Sequence, residues 1–281
     1  MSLAVSLICL ANKIFKPVVH PFNLQNDGVK TYAEWQYEKG ADTVKFFAER
    51  YPADVMFEGK RVLDMGCGAA GKSLYYASMG AAHVTGAEIV EHYEAEALAL
   101  ADKLGLADRF TFHRGSADAL PFADGSFDTI IMNDFMEHTS DPEATLKEAL
   151  RLLAPEGRIY INFPPYGHPF GAHMSDLINM PWVHCFFSEH ALCLAYRKLA
   201  EKLPDGEQRM EFRMKRKPNG KWEIAYINKM SLRRFKGILE KLQVQPEYYA
   251  EAPLREFLHV LAKCPITREK FVRMAVCVIK K

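Results

Sequence analysis

Between residues 44 and 163 the apolar positions alternate between a helical and an extended spacing. Val44, Phe47, Ala48 and Tyr51 recur in steps of three and four, a helix face that stops before Pro52. Arg61–Met65 is a short, mostly apolar run entering a glycine-rich turn, which predicts a buried strand. A helix over Lys72–Met79 closed by Gly80 and a strand over Ala82–Ala87 follow. Tyr93, Ala97, Leu100, Ala101 and Leu104 share the next helix face, which ends at Gly105. Further strands are predicted at Arg109–His113 and Phe127–Met132. Asp141 and Pro142 then supply a cap and first-turn residue for a helix burying Leu146, Ala149, Leu150 and Leu153. Gly157 leads into a strand over Arg158–Phe163. Strand–helix units joined by short links predict an α/β, doubly wound, mostly parallel sheet with right-handed crossovers.

The rhythm breaks after Pro164 and Pro165. Residues 166–200 are rich in His, Met and aromatics and predict helices and loops, while 209–228 read as a hairpin. Its strands would be Met210–Lys215 and Trp222–Ile227, around the turn Pro218-Asn219-Gly220. A helix over Ser231–Leu242 and closing strands over Val244–Ala250 and Phe271–Ile279 complete a seven-stranded, Rossmann-like sheet. Four regions are therefore expected: an N-terminal helical lid (1–54), a nucleotide-binding core (55–165), an inserted substrate cover (166–230), and a C-terminal helix with closing strands (231–281). Within Met1–Lys16, Leu3, Ala4, Leu7, Ile8, Ala11, Ile14 and Phe15 form an apolar helical stripe. Lys13 and Lys16 come after that stripe rather than before it, unlike a secretory signal, and the run falls short of the ~20 residues of a membrane span. It is expected to pack on the domain or over its active site, with no stable membrane span.

Composition adds boundaries. The 281 residues carry 36 basic and 35 acidic side chains, a balance that gives no reason to expect nucleic acid as a partner. Cysteines at 9, 67, 185, 193, 264 and 277 form no CxxC pair and read as reduced thiols of a cytoplasmic protein.

The chemistry concentrates in Val62-Leu-Asp-Met-Gly-Cys-Gly-Ala-Ala-Gly-Lys-Ser73. Glycines at 66, 68 and 71 let the backbone turn sharply and approach a ligand at the carboxyl edge of the sheet. The pattern is shared with dinucleotide enzymes, and Gly66 to Ser73 formally matches a phosphate-binding loop. Asp64, two residues before the first glycine, argues for a cationic amino group over a pyrophosphate, which it would repel. Glu88 ends the second strand at the distance where an acid takes both ribose hydroxyls. Gly115-Ser-Ala-Asp-Ala-Leu-Pro-Phe-Ala-Asp-Gly-Ser-Phe-Asp128 then precedes the fourth strand, with Glu137-His138 and Asp141-Pro142 after it.

With these motifs in this order, residues 55 to 165 resemble the class I S-adenosylmethionine-dependent methyltransferases, in particular the group related to ubiquinone- and sugar-modifying enzymes. The resemblance implies that Asp64, Gly66 and Gly68 hold the methionine moiety of S-adenosyl-L-methionine and Glu88 its ribose. Ser116, Ala117 and Asp118 would flank the adenine, Ser116 standing where such proteins often place Asp, and Asn133 would lie near the sulfonium. Cys67 would be a small filler beside the cofactor.

Methyl transfer to a small-molecule acceptor, at oxygen before nitrogen or carbon, is the expected reaction; a non-catalytic binding protein of the same fold is the alternative. The candidates for removing the acceptor's proton are Glu137, His138, His168, His173, Asp176 and His184, the first four foremost. His168, His173, Asp176 and His184 match no metal-ligand spacing, so substrate contact is expected there and no metal is assigned. Tyr32, Trp35, Gln36 and Tyr37 are expected to form an aromatic lid over the cofactor. Arg213, Lys215, Arg216, Lys217 and Lys221 read as a solvated charged face.

Overall fold

The computed structural model describes residues 2–21, 23, 28–225 and 227–281; Met1 of the expected first helix and Tyr226 of the expected hairpin lie outside the described residues. Its centre is a seven-stranded sheet of β1 (Arg61–Met65), β2 (His83–Glu88), β3 (Phe110–Arg114), β4 (Phe127–Asn133), β5 (Leu153–Phe163), β8 (Tyr248–Pro253) and β9 (Val272–Lys280). The spatial order is β3-β2-β1-β4-β5-β9-β8. β1 to β5 pair in parallel, and β9 runs antiparallel to both β5 and β8. Asp64 pairs with Gly86 on one side and Ile131 on the other. The winding direction reverses between β1 and β4, so a crevice opens at their carboxyl ends, where such sheets bind ligands. Met65, Glu88 and Asn133 all end their strands there.

Helices cover both faces. The helices α3 (Gly71–Ser78) and α4 (Tyr93–Leu104) bury Leu74, Tyr76, Ala77, Ala97, Leu100 and Ala101 against one face. On the other, α5 (Pro142–Leu152) and α8 (Leu232–Lys241) bury Leu146, Ala149, Leu152, Phe235, Ile238 and Leu239. The Asp141 side chain caps α5 by accepting from the amides of Glu143 and Ala144, as the Asp-Pro pair predicted.

A third apolar core lies in the inserted segment. The helix α6 (Glu189–Ala200) buries Leu192, Cys193, Ala195 and Tyr196 against Met174, Ile178 and Val183, and α1 (Leu3–Ala11) adds Val5 and Ile8. The first helix thus packs on the insertion, and each of its two buried side chains contributes about 1.5–3 kcal/mol. The expected stripe differs: Leu3 is 76% exposed and Ile14 78%. The helix LAVSLICLA is apolar almost all round, so spacing alone does not pick its buried face.

Other boundaries move as well. Val44, Phe47 and Tyr51 are buried as expected, but the regular helix there covers Gly40–Val44 and continues as turns. β5 starts earlier, at Leu153, and β8 later, at Tyr248. The expected strand Met210–Lys215 is largely helix: α7 spans Gly206–Arg213, leaving a short hairpin of β6 (Met214–Arg216) and β7 (Trp222–Ile224). The reason is electrostatic. Helical spacing puts Arg209 and Arg213 on one face, where both reach the buried Asp176, at 3.1 and 3.3 Å.

Candidate active site

The turn after β1 carries the first half of the site. Gly66 adopts φ +75° and Gly68 +57°, left-handed backbone that glycine takes without strain. A Cβ on Gly66 would stand 2.1 Å from the Phe135 ring, so the close approach itself demands glycine. Asp64 is buried below the turn and accepts a 2.6 Å hydrogen bond from Ser73 Oγ. Burial pushes its carboxyl up to about 6, against the pull of the Ser73 hydrogen bond and Lys72. Glu88 closes the turn from β2: one carboxylate oxygen accepts from Gly68 N at 3.0 Å, the other from the amides of Ile89 and Val90. Gly115 N donates to Glu88 O at 3.0 Å, which brings the loop bearing Ser116, Ala117 and Asp118 alongside. Ser116 Oγ donates to Asp118 Oδ1 at 2.5 Å. Burial, then Asp64, raises the Cys67 thiol well above its ordinary range, so it is a packed thiol and not a nucleophile.

The helix α2 (Tyr32–Glu38) lies across this turn. Gln36 Nε2 donates to Cys67 O and Gly71 N donates to Gln36 Oε1, at 3.3 and 3.2 Å. Of the expected lid, Tyr32 and Gln36 reach the glycines, Tyr37 packs on Tyr75, and Trp35 stacks on Tyr32.

The second half begins where β4 ends. Asn133 is buried and donates to Asp134, whose φ of +48° swings the chain outward. Phe135 then meets Gly66, while His138 meets His173 of the insertion edge-on, with ring centroids 4.8 Å apart. Asn228, which no sequence pattern singled out, fastens this loop. Its amide N donates to Glu137 O, and its side chain donates to Met136 O and Thr139 O, each at 2.7 Å. Glu137 is buried, and neither carboxylate oxygen has a hydrogen-bond partner among the described residues. Burial, with Asp134 nearby, raises its carboxyl well above the usual range.

A cavity of about 180 Å³ opens beside His173, lined by His20, His168, Phe170, His173, Ser175 and Arg213. Burial keeps these imidazoles neutral: His20 and His168 are each lowered to about 4, and His173 falls well below its ordinary value. Arg213 is a correction to the expected solvated face, since its side chain is 2% exposed, pairs with Asp176 and donates to His173 O. Asp176 also accepts from Tyr196 Oη at 2.6 Å and pairs with Arg209. The expected grouping of four therefore divides. His168 and His173 line the cavity, Asp176 anchors arginines, and the His184 ring packs 4.9 Å from Tyr166.

Comparison with known proteins places this geometry. Residues 63–161 match the family described as methyltransferase domain. Over 99 residues the chain is 36% identical to a sterol 24-C-methyltransferase of Gibberella zeae, covering 35% of this chain and 26% of that one. Over 110 residues it is 36% identical to a probable chloroplastic tocopherol O-methyltransferase of Oryza sativa subsp. japonica, covering 39% and 30%. Residues 63–161 are thus similar to a methyltransferase domain. The fold of the chain also matches that of the PH0226 protein from Pyrococcus horikoshii, with a TM-score of 0.52, 18% identity and coverage of 87% and 90%. The chain thus spans about a quarter to a third of the length of these two relatives, and the family match ends at residue 161, just before the insertion.

The chemistry around the glycine turn suits a cationic ligand. Two acids, Asp64 and Glu88, flank one glycine turn, and the charge of Glu88 raises the proton affinity of Asp64. A cation between them relieves that repulsion. Sequence reasoning missed His20, Ser175 and Arg213, because they come from segments outside every motif. No helix among the described residues is long and apolar enough to cross a membrane.

Proposed function

We propose that this protein methylates a small acceptor at oxygen, the acceptor lying in the cavity between His20, His168, His173 and Arg213. Asp64, Gly66, Cys67 and Gly68 hold the methionine end of S-adenosylmethionine, and Glu88 the ribose. Ser116, Ala117 and Asp118 flank the adenine, and Asn133 lies towards the sulfonium. Bound there, the cofactor supplies a methyl group already activated for in-line displacement, so the chain's task is to hold the acceptor close and let its proton leave. The observation carrying this reading is the loop after β4, where Phe135 touches the glycine turn and His138 touches the cavity wall. One short stretch of backbone thus joins the donor side to the acceptor side.

Oxygen is favoured because the cavity wall combines uncharged imidazoles with Ser175 and the Arg213 guanidinium, polar groups suited to hydrogen-bonding a hydroxyl. His168 and His173 line the acceptor position, with His138 against His173 and Glu137 beside His138, and the hydroxyl proton leaves to solvent through the open cavity. Phe170 gives the pocket an apolar wall, while Ser175 and Arg213 supply polar contacts that orient the acceptor.

Calorimetry with S-adenosylmethionine, followed by a screen of hydroxylated acceptor pools with methyl-labelled cofactor, tests the reading. Label on an acceptor oxygen, lost in Asp64→Asn and Glu88→Gln, supports it. No cofactor uptake, or label placed on nitrogen or carbon, overturns it.

A further inference from the structure

We propose that Glu137, His138 and His173 bind one divalent transition-metal ion, of the zinc or iron(II) kind, beside the acceptor cavity. Each residue offers one ligand atom, and the three atoms all lie within 4.8 Å of one another. Glu137 Oε1 stands 3.9 Å from His138 Nε2. Bonds of about 2.0–2.2 Å bring neighbouring ligand atoms to roughly 3–3.5 Å in tetrahedral or octahedral geometry. Small side-chain rotations close the remaining gap.

The Glu137 carboxylate is the second observation. It is 3% exposed, and both its oxygens lack a hydrogen-bond partner among the described residues. Buried carboxylates are hydrogen-bonded, paired or metal-bound. The charged groups facing Glu137 are Asp134, of the wrong sign, and Lys72 on α3, which stands 3.8 Å from Asp134. A bound cation would supply what this carboxylate lacks.

The donor set narrows the choice of ion. Two imidazoles and a carboxylate suit zinc, iron(II) or manganese, whereas magnesium and calcium prefer oxygen ligands throughout. The backbone around the donors is already fixed, Glu137 by Asn228 and the His173 carbonyl by Arg213, as ligand positions require. Three protein ligands leave a coordination position open, as catalytic metal sites do, and the His173 side of the cluster faces the cavity. The role of the ion rests on the methyl-transfer reading: it draws electron density from the acceptor hydroxyl and eases loss of its proton to solvent. As the new O–C bond forms and the C–S bond breaks, the C–S electron pair stays on sulfur.

The experiment uses untagged full-length protein, stripped with chelator and titrated with Co2+. One equivalent with a visible d–d spectrum, displaced by Zn2+, is expected. Glu137→Gln and His173→Ala each weaken binding by about 100-fold or more, as loss of a ligand exceeds loss of its outer support; His184→Gln leaves it intact. X-ray absorption of the Zn2+-loaded wild type, which needs no variant to fold, should count two imidazoles at about 2.0–2.1 Å. Absence of stoichiometric uptake, uptake unchanged in both folded variants, or a shell without imidazole overturns the site. Calorimetry with S-adenosylmethionine on the same sample separates the two readings. Metal uptake without cofactor uptake upholds the ion and sinks methyl transfer, and the reverse sinks the ion alone.

Discussion

Asp64→Asn should make the cofactor-free protein more stable while weakening its grip on the cofactor. Asp64 is 4% exposed, and burial raises its carboxyl from 3.8 to about 6. Asn has nearly the same shape and can still accept from Ser73 Oγ, so the substitution chiefly removes a charge. A folded-state value above the unfolded one means that the group's stabilising contribution is complete below pH 3.8 and is lost as pH rises through about 6. That difference corresponds to about 3 kcal/mol at pH 8 and about half that at pH 5. Urea unfolding of both proteins at the two pH values, without cofactor, should therefore show the variant more stable by about 3 and about 1.5 kcal/mol. Calorimetry at pH 8 should show S-adenosylmethionine affinity falling about 10- to 100-fold, the usual weight of a charge-assisted hydrogen bond. In the wild type, affinity should also fall below pH 6, as the carboxyl protonates. A variant no more stable than wild type at pH 8, or one that binds the cofactor equally well, would refute the assignment of a strained, donor-gripping carboxylate.

Three further outcomes are expected. Asp176→Asn leaves Arg209 and Arg213 buried without their shared carboxylate, and denaturant unfolding should register a loss of about 3–5 kcal/mol. Ile8→Ala empties a fully buried position where α1 meets the insertion; a loss of about 2–5 kcal/mol is expected, with S-adenosylmethionine affinity unmoved when measured below the melting temperature. His168→Ala removes an imidazole from the wall of the proposed acceptor cavity, and acceptor affinity should fall about 10-fold in steady-state assays without change in cofactor affinity.

The proposed donor half of the site was legible because its determinants are local. Gly66 and Gly68 sit in one turn just after Asp64, Glu88 ends the next strand, and β1 announced itself by an apolar run leading into the glycines. The proposed acceptor half was not legible, since residues 20, 168–175 and 213 meet through the packing of the insertion. Arg213 stands among Lys215, Arg216 and Lys217, and composition alone cannot separate a buried guanidinium from solvated neighbours. Met210, Phe212 and Met214 alternate as in a strand, yet that segment is helical because two arginines one turn apart share one buried carboxylate. Tertiary electrostatics overrode the local period. The approach of His138 to His173 joins residues 35 positions apart in sequence, a distance that no ligand spacing in the chain encodes.

The joining of the first helix to a core built from residues 172–227 has a practical corollary. The two parts of that unit are separated in the chain by β1 to β5, so they meet late in synthesis, after the proposed methyl-donor pocket has its own strands in place. Versions of the chain trimmed at the front should retain a competent adenosyl pocket while losing discrimination among acceptors. Grafting a different insertion onto this sheet would require transplanting its matching leading helix as well.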